Sequence, residues 1–284
     1  MTDNAAVEEP SIAWRGSDLS VSQRGDGDKT LLFIHGNSSC KEVFEALWDR
    51  PVLHRFRCVG FDLPGHGASD DANDPDASYT IPGYAAATAQ VIAELGLGRP
   101  ILVGWSLGGH AALELALSQG DIAGVLITGT PPIGPGPAVL QGGFTPFTFE
   151  QSTGDENATE EALVAYAGHM YGLPREEFAP FMPALLRTAG RARSRMTEHW
   201  LSHDGASHLE FAKTGKVPLA IVHGDKDPFV DAAFLDTLES SRLWGGQIHH
   251  MEQSGHAPFL DAPDLFASLL SQFATDALEH HKGV

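Results

Sequence analysis

A serine hydroxyl becomes a useful nucleophile only when a histidine takes its proton and a carboxylate orients that histidine. This chain carries those residue types in the order serine, acid, histidine. Ser106 lies in Gly104-Trp-Ser-Leu-Gly108, a match to the G-x-S-x-G pattern. Its context fits: an apolar run, Ile101 to Val103, precedes it, and a helix-forming stretch, His110 to Leu117, follows. A turn this tight strains the serine backbone and admits only small residues two positions either side, here Gly104 and Gly108. Two aspartates, Asp225 and Asp227, stand just past a second apolar strand, and His256 lies in a loop before the final helix. Asp227 precedes Pro228 and sits deeper in its loop, so it is the expected acid, with Asp225 holding the turn through backbone N–H groups. Ser106, His256 and Asp227 are thus the expected catalytic residues.

Acyl transfer also requires donors for a tetrahedral oxyanion. The N–H of Leu107, next after the nucleophile, is one. The loop His35-Gly-Asn-Ser-Ser39 is expected to supply the second from Asn37 or Ser38, and the Asn37 amide is placed to reach a substrate oxygen. The other histidines suit different duties. His35 and His66 are expected to support loops. His249 and His250 face opposite sides of a strand, and His280-His281 lies in a tail. Neither H-x-H-x-D-H nor H-E-x-x-H occurs, so no metal and no cofactor are expected.

Elements that could position these groups follow from hydropathy. A hairpin over Ser11–Arg15 and Leu19–Gln23 precedes apolar strands at Thr30–His35, Phe56–Phe61, Ile101–Val103, Gly124–Thr128, Val217–His223 and Gln247–Met251. Between them the pattern predicts helices at Lys41–Arg50, Ile81–Leu95 and His110–Leu117, and a closing helix at Asp261–Leu278. Alternation of this kind implies a mostly parallel, doubly wound sheet. Residues 131–216 break it: a proline-rich run, Pro131 to Pro137, leads into helices expected at Asn157–Tyr171, Arg175–Ala189 and Arg191–His203. This segment reads as a helical cap inserted after the sixth strand, between core segments 1–130 and 217–284, and over the edge where open sheets place ligands. Its aromatic residues, among them Phe144, Phe149, Tyr166 and Trp200, either line a pocket or hold the cap together.

The 284 residues carry 37 acidic against 18 basic side chains, a formal charge of −19 that repels phosphate backbones and anionic lipid. No nucleic acid or membrane partner is expected, and the substrate should be a small neutral molecule. Met1–Pro10 is acidic and lacks the regions of a secretory signal, and two cysteines build no disulfide framework. A cytoplasmic protein, monomeric or homodimeric, is the expectation.

The chain resembles an α/β-hydrolase over nearly its full length, through Ile34-His-Gly-Asn-Ser-Ser39, Asp62-Leu-Pro-Gly-His-Gly-Ala-Ser69, Gly104-Trp-Ser-Leu-Gly-Gly109, Gly224-Asp-Lys-Asp-Pro228 and Ser254-Gly-His-Ala-Pro-Phe259. Within that superfamily it is similar to the metal-independent N-acyl-homoserine lactonases. That likeness rests on Asp74-Pro-Asp-Ala-Ser-Tyr79, Ile127-Thr-Gly-Thr-Pro-Pro132, Gly190-Arg-Ala-Arg193 and Asp227-Pro-Phe-Val230, together with the Asn37 and Ser106 motifs. The resemblance implies Ser106 as nucleophile, His256 as base and Asp227 as acid, where that lactonase type can carry Glu. It implies lactone contacts from Asn37 and Tyr166, and Trp105 beside the nucleophile is counted with them as substrate-binding. A carboxylesterase on other small esters, a carbon–carbon bond hydrolase and a non-catalytic ligand-binding hydrolase fold are the alternatives.

Overall fold

The computed structural model describes residues 10–118, 121–134, 136, 142–150, 154–202, 207–238 and 243–280. The N-terminal tail before Pro10, part of the Pro131–Pro137 run, His203 and His281 lie outside those residues, as do the side chains of Phe149 and His280. Among the described residues eight strands form one sheet: β1 (Ser11–Trp14), β2 (Ser17–Arg24), β3 (Thr30–Ile34), β4 (Arg57–Phe61), β5 (Ile101–Trp105), β6 (Gly124–Thr128), β7 (Leu219–Gly224) and β8 (His249–Met251). Their order is β1-β2-β4-β3-β5-β6-β7-β8. β2 pairs antiparallel with β1 and β4, and every other pairing is parallel.

The central strands are apolar throughout because both faces are covered. Leu32 and Ile34 of β3 join one buried cluster, whereas Leu31 and Phe33 join the other. The same alternation sends Leu102 one way and Ile101, Val103 and Trp105 the other. Helices α1 (Ile81–Glu94) and α2 (Leu107–Ser118) cover the first face through Tyr84, Val91, Ala112 and Leu115. Thr80 caps α1 by accepting from the Gly83 N–H at 3.0 Å, with Pro82 in the first turn.

Between β6 and β7 run α3 (Glu160–Tyr171), α4 (Gly190–Ser202) and α5 (His208–Thr214), with shorter helical turns between. Thr159 begins α3 and left-handed Gly172 ends it. Arg175–Ala189 is not one helix. It breaks into Arg175–Phe178, a 3₁₀ turn Ala179–Phe181 and Met182–Arg187, because Pro180 and Pro183 lack the N–H a continuous helix needs. Similarly, Lys41–Arg50 divides into a 3₁₀ turn, Lys41–Phe44, and one α turn, Glu45–Trp48.

These inserted helices are fastened to the sheet. Leu163, Tyr166, Met170 and Tyr171 of α3 belong to the same buried cluster as Trp105 and Phe33. The Tyr171 hydroxyl lies 3.1 Å from the Ser39 hydroxyl, and the Ala189 N–H donates to the Gly65 carbonyl at 2.9 Å. Beyond β8, α6 (Pro263–His280) packs Phe266, Leu270 and Phe273 into this cluster. Among the described residues no helix is long and apolar enough to cross a membrane.

Candidate active site

Ser106 caps the C-terminal end of β5 with φ +53°, in the left-handed region a serine seldom adopts. The turn leaves no room for side chains beside it. A Cβ on Gly104 would lie 2.5 Å from the Gly109 Cα, and one on Gly108 would lie 2.1 Å from the Ile34 carbonyl oxygen. Thr130 steadies the turn by donating its hydroxyl to the Ser106 carbonyl at 2.9 Å.

Two loops bring the other groups in. After β7, Asp227 accepts from the Phe229 and Val230 N–H groups through Oδ1, at 2.8 and 3.3 Å. Its Oδ2 stands 2.8 Å from Nδ1 of His256. This pairing fixes the ring so that Nε2 is the nitrogen left to receive a proton. The loop beyond β8 that carries His256 is tied to the serine strand: the Trp105 indole donates to the His256 carbonyl at 2.9 Å. Asp225 turns elsewhere, with Oδ1 2.7 Å from Nδ1 of His250. The expected turn-holding role of its carboxylate gives way to this pairing, which is half-exposed and lies off the Asp227–His256 line.

Ser106, Leu107, Asn37 and His256 line one cavity. The loop holding Asn37 passes against the nucleophile, since a Cβ on Gly36 would be 3.2 Å from the Ser106 Cβ. Ser38 follows at φ +55°, fully buried, with its hydroxyl 3.3 Å from the Asn37 Oδ1. His35 and His66 brace neighbouring loops. His35 Nε2 accepts from the Leu63 N–H at 3.0 Å, leaving Nδ1–H to donate to the Gly36 carbonyl at 2.7 Å. Burial holds His35 below its ordinary pKa against the opposing pull of Asp62, and holds His66 well below.

The segment between β6 and β7 supplies the apolar wall: Phe144, which bridges to Val230, and Tyr166, Met196 and Trp200 from α3 and α4. Burial pushes the Tyr166 hydroxyl above its ordinary pKa, so it stays a hydrogen-bond donor. Trp105 is a correction: it faces the apolar cluster behind the site and does not line this cavity, because strand alternation turns it away from the ligand side. Met170, Tyr171 and Phe178 also go to packing. Thr148, Met196 and Phe229 line the cavity without having been singled out from the sequence, and so does His110, one turn into α2 from the nucleophile. Its i,i+4 spacing to Glu114 was the available signal.

A strained serine after a central parallel strand thus shares one cavity with a carboxylate-held histidine from the loop beyond β8. A model of the alpha/beta hydrolase family matches residues 31–269. The chain belongs to the alpha/beta hydrolase family. Among solved structures, this hydrolase is similar to the N-acyl homoserine lactonase AidH. A Ser-to-Gly variant complexed with N-hexanoyl homoserine lactone is 34% identical, with TM-score 0.90, covering 96% of this chain and 99% of that one. AidH complexed with N-butanoyl homoserine is 35% identical, with TM-score 0.89 and coverage of 95% and 97%. Among curated proteins it is similar to the pimeloyl-[acyl-carrier protein] methyl ester esterase of Neisseria meningitidis, 28% identical over 91% of this chain and 80% of that one.

Proposed function

We propose that this hydrolase opens the lactone ring of N-acyl-homoserine lactones through Ser106, His256, Asp227 and an acyl-enzyme. The observation that carries the reading is the 2.8 Å Asp227–His256 pair meeting strained Ser106 in a cavity with a polar floor and an apolar wall. The likeness to AidH, whose complexes hold N-acyl homoserine and its lactone, supports the substrate class.

The Ser106 hydroxyl attacks the lactone carbonyl while His256 takes its proton, and Asp227 stabilises the imidazolium. Leu107 N–H and the N–H of Asn37 or Ser38 receive the developing oxyanion. The ring oxygen leaves with the proton from His256. Water, deprotonated by the same nitrogen, then releases N-acyl homoserine. No cofactor enters these steps. Asn37 and Tyr166 offer donors to the ring, and the apolar wall takes the acyl chain. Residues 131–216 act as the cap that shapes this pocket. The product gains a carboxylate, which the −19 charge of the chain disfavours retaining.

Mass spectrometry of N-hexanoyl homoserine lactone after incubation tests the reading. The expected result is gain of one water on the intact molecule, reversed by acid and lost in Ser106→Ala. Release of free homoserine lactone would mean amide cleavage. Hydrolysis of a nitrophenyl ester alone would leave a carboxylesterase, in line with the methyl ester esterase of Neisseria meningitidis to which the chain is similar.

A further inference from the structure

His110 lies beside the serine chemistry yet takes no part in it. Its ring is buried, and it lines the cavity shared by Ser106 and His256. Behind it runs a line of polar contacts. His110 Nδ1 is 3.2 Å from Nδ1 of His208, the first residue of α5, and His208 Nε2 is 3.2 Å from Glu114 Oε2. His110 and Glu114 are one turn apart on α2, so His208 bridges two positions on one helical face. The His110 and His208 rings stack with centroids 5.3 Å apart, and the Trp200 edge meets His110 at 4.7 Å.

This arrangement constrains where protons sit. A carboxylate only accepts, so His208 Nε2 carries a hydrogen for Glu114. For a neutral pair, His208 Nδ1 is then a bare acceptor, and His110 must donate its own Nδ1–H to it. The remaining nitrogen of His110, Nε2, is left with a lone pair and no hydrogen. Burial and the neighbouring His208 both hold His110 well below its ordinary pKa, in keeping with a neutral ring. With that neutral pair, His110 is an acceptor in a wall it shares with Phe144, Thr148, Tyr166, Met196, Trp200 and Phe229.

An acceptor in an apolar wall calls for a donor on the ligand. The ester and ring oxygens of a lactone only accept, so they cannot meet it. An amide N–H next to the reacting ring can. We propose that His110 is a specificity-determining residue whose Nε2 accepts a hydrogen bond from the amide N–H of an N-acylamino lactone, with His208 and Glu114 positioning it. The proposal rests on the lactonase reading and narrows it: this hydrolase selects lactones that bear an acylamino donor over lactones that do not.

The test compares N-hexanoyl homoserine lactone with its analogue carrying CH2 in place of the amide N–H, as a ratio of kcat/KM values. The native enzyme is expected to favour the amide by about tenfold, the worth of one good hydrogen bond. In His110→Phe the ratio should fall toward unity, mainly through KM. In His110→Gln, whose carbonyl oxygen reaches near the Nε2 position, the ratio should persist. If the phenylalanine variant does not fold, His110→Asn, too short to reach that position, replaces it and should lose the ratio. A phenylalanine or asparagine variant that lowers both substrates equally with the ratio intact makes His110 a packing residue and overturns the proposal. A native ratio near unity, with both lactones opened, overturns it while the lactonase reading stands. Opening of neither lactone, with nitrophenyl ester hydrolysis retained, overturns both.

Discussion

Replacing Asp227 by Asn keeps the side-chain shape but offers His256 Nδ1 a group that no longer stabilises an imidazolium. Lactone opening is expected to fall by about four orders of magnitude in kcat/KM. Asp225→Asn, which disturbs only the half-exposed pair with His250, should leave kcat unchanged and cost less than about 1 kcal/mol of stability. Steady-state kinetics on both variants separates the two acids, and equal losses would refute the assignment. At this scale the sequence was informative wherever a residue's partner lies close in the chain or in a strong motif. Ser106, Asp227 and His256 were legible by type and order. Asp225 misled because its partner, His250, sits on the neighbouring strand. His110 stayed hidden because its distinguishing contact lies 98 positions away.

The strand–turn–helix carrying Ser106 depends on backbone proximity. Gly108→Ala would force a Cβ to 2.1 Å from a carbonyl oxygen that cannot swing aside. A loss of about 1–3 kcal/mol is expected, read as a lower Tm. Gly168 provides the contrast. It lies inside α3 with nothing within 4 Å of where a methyl group would sit, so Gly168→Ala should raise the Tm by improving helix propensity, by up to about 1 kcal/mol. Strands were legible as elements because unbroken apolar runs have few other uses in a chain of this kind. Helices in the insertion were less so. Prolines at 180 and 183 were readable as breaks within Arg175–Ala189. The helix at His208–Thr214 was announced by Ser207-His-Leu-Glu210, whose serine accepts from the Glu210 N–H at 3.2 Å. Neither signal stood out beside the stronger hydropathy patterns.

For the molecule as a whole, buried neutral histidines set the response to acid. His35, His66 and His110 are held below their ordinary pKa by burial. Below about pH 6.5 the unfolded chain therefore binds protons that the folded one refuses. Stability is full above that pH and declines beneath it, by about 1.4 kcal/mol per pH unit for each histidine. Asp62, whose buried carboxyl titrates above its ordinary value, works in the opposite sense and offsets part of the decline. Urea unfolding at pH 7.5 and 5.5 should differ by at least one histidine's share, about 1.4 kcal/mol, in favour of the higher pH. Equal stabilities would contradict this account.

The fastening of the inserted helices bears on what limits turnover. Tyr171 reaches Ser39, Ala189 is bonded to Gly65, and the aromatic side chains of α3 are part of the sheet's own packing. Among the described residues the covering is seated by several separate contacts, so it is expected to stay in place through the cycle without large displacement of solvent. Friction from the medium then has little to act on once substrate is bound. Thickening the buffer with sucrose should slow encounter but leave kcat where it was.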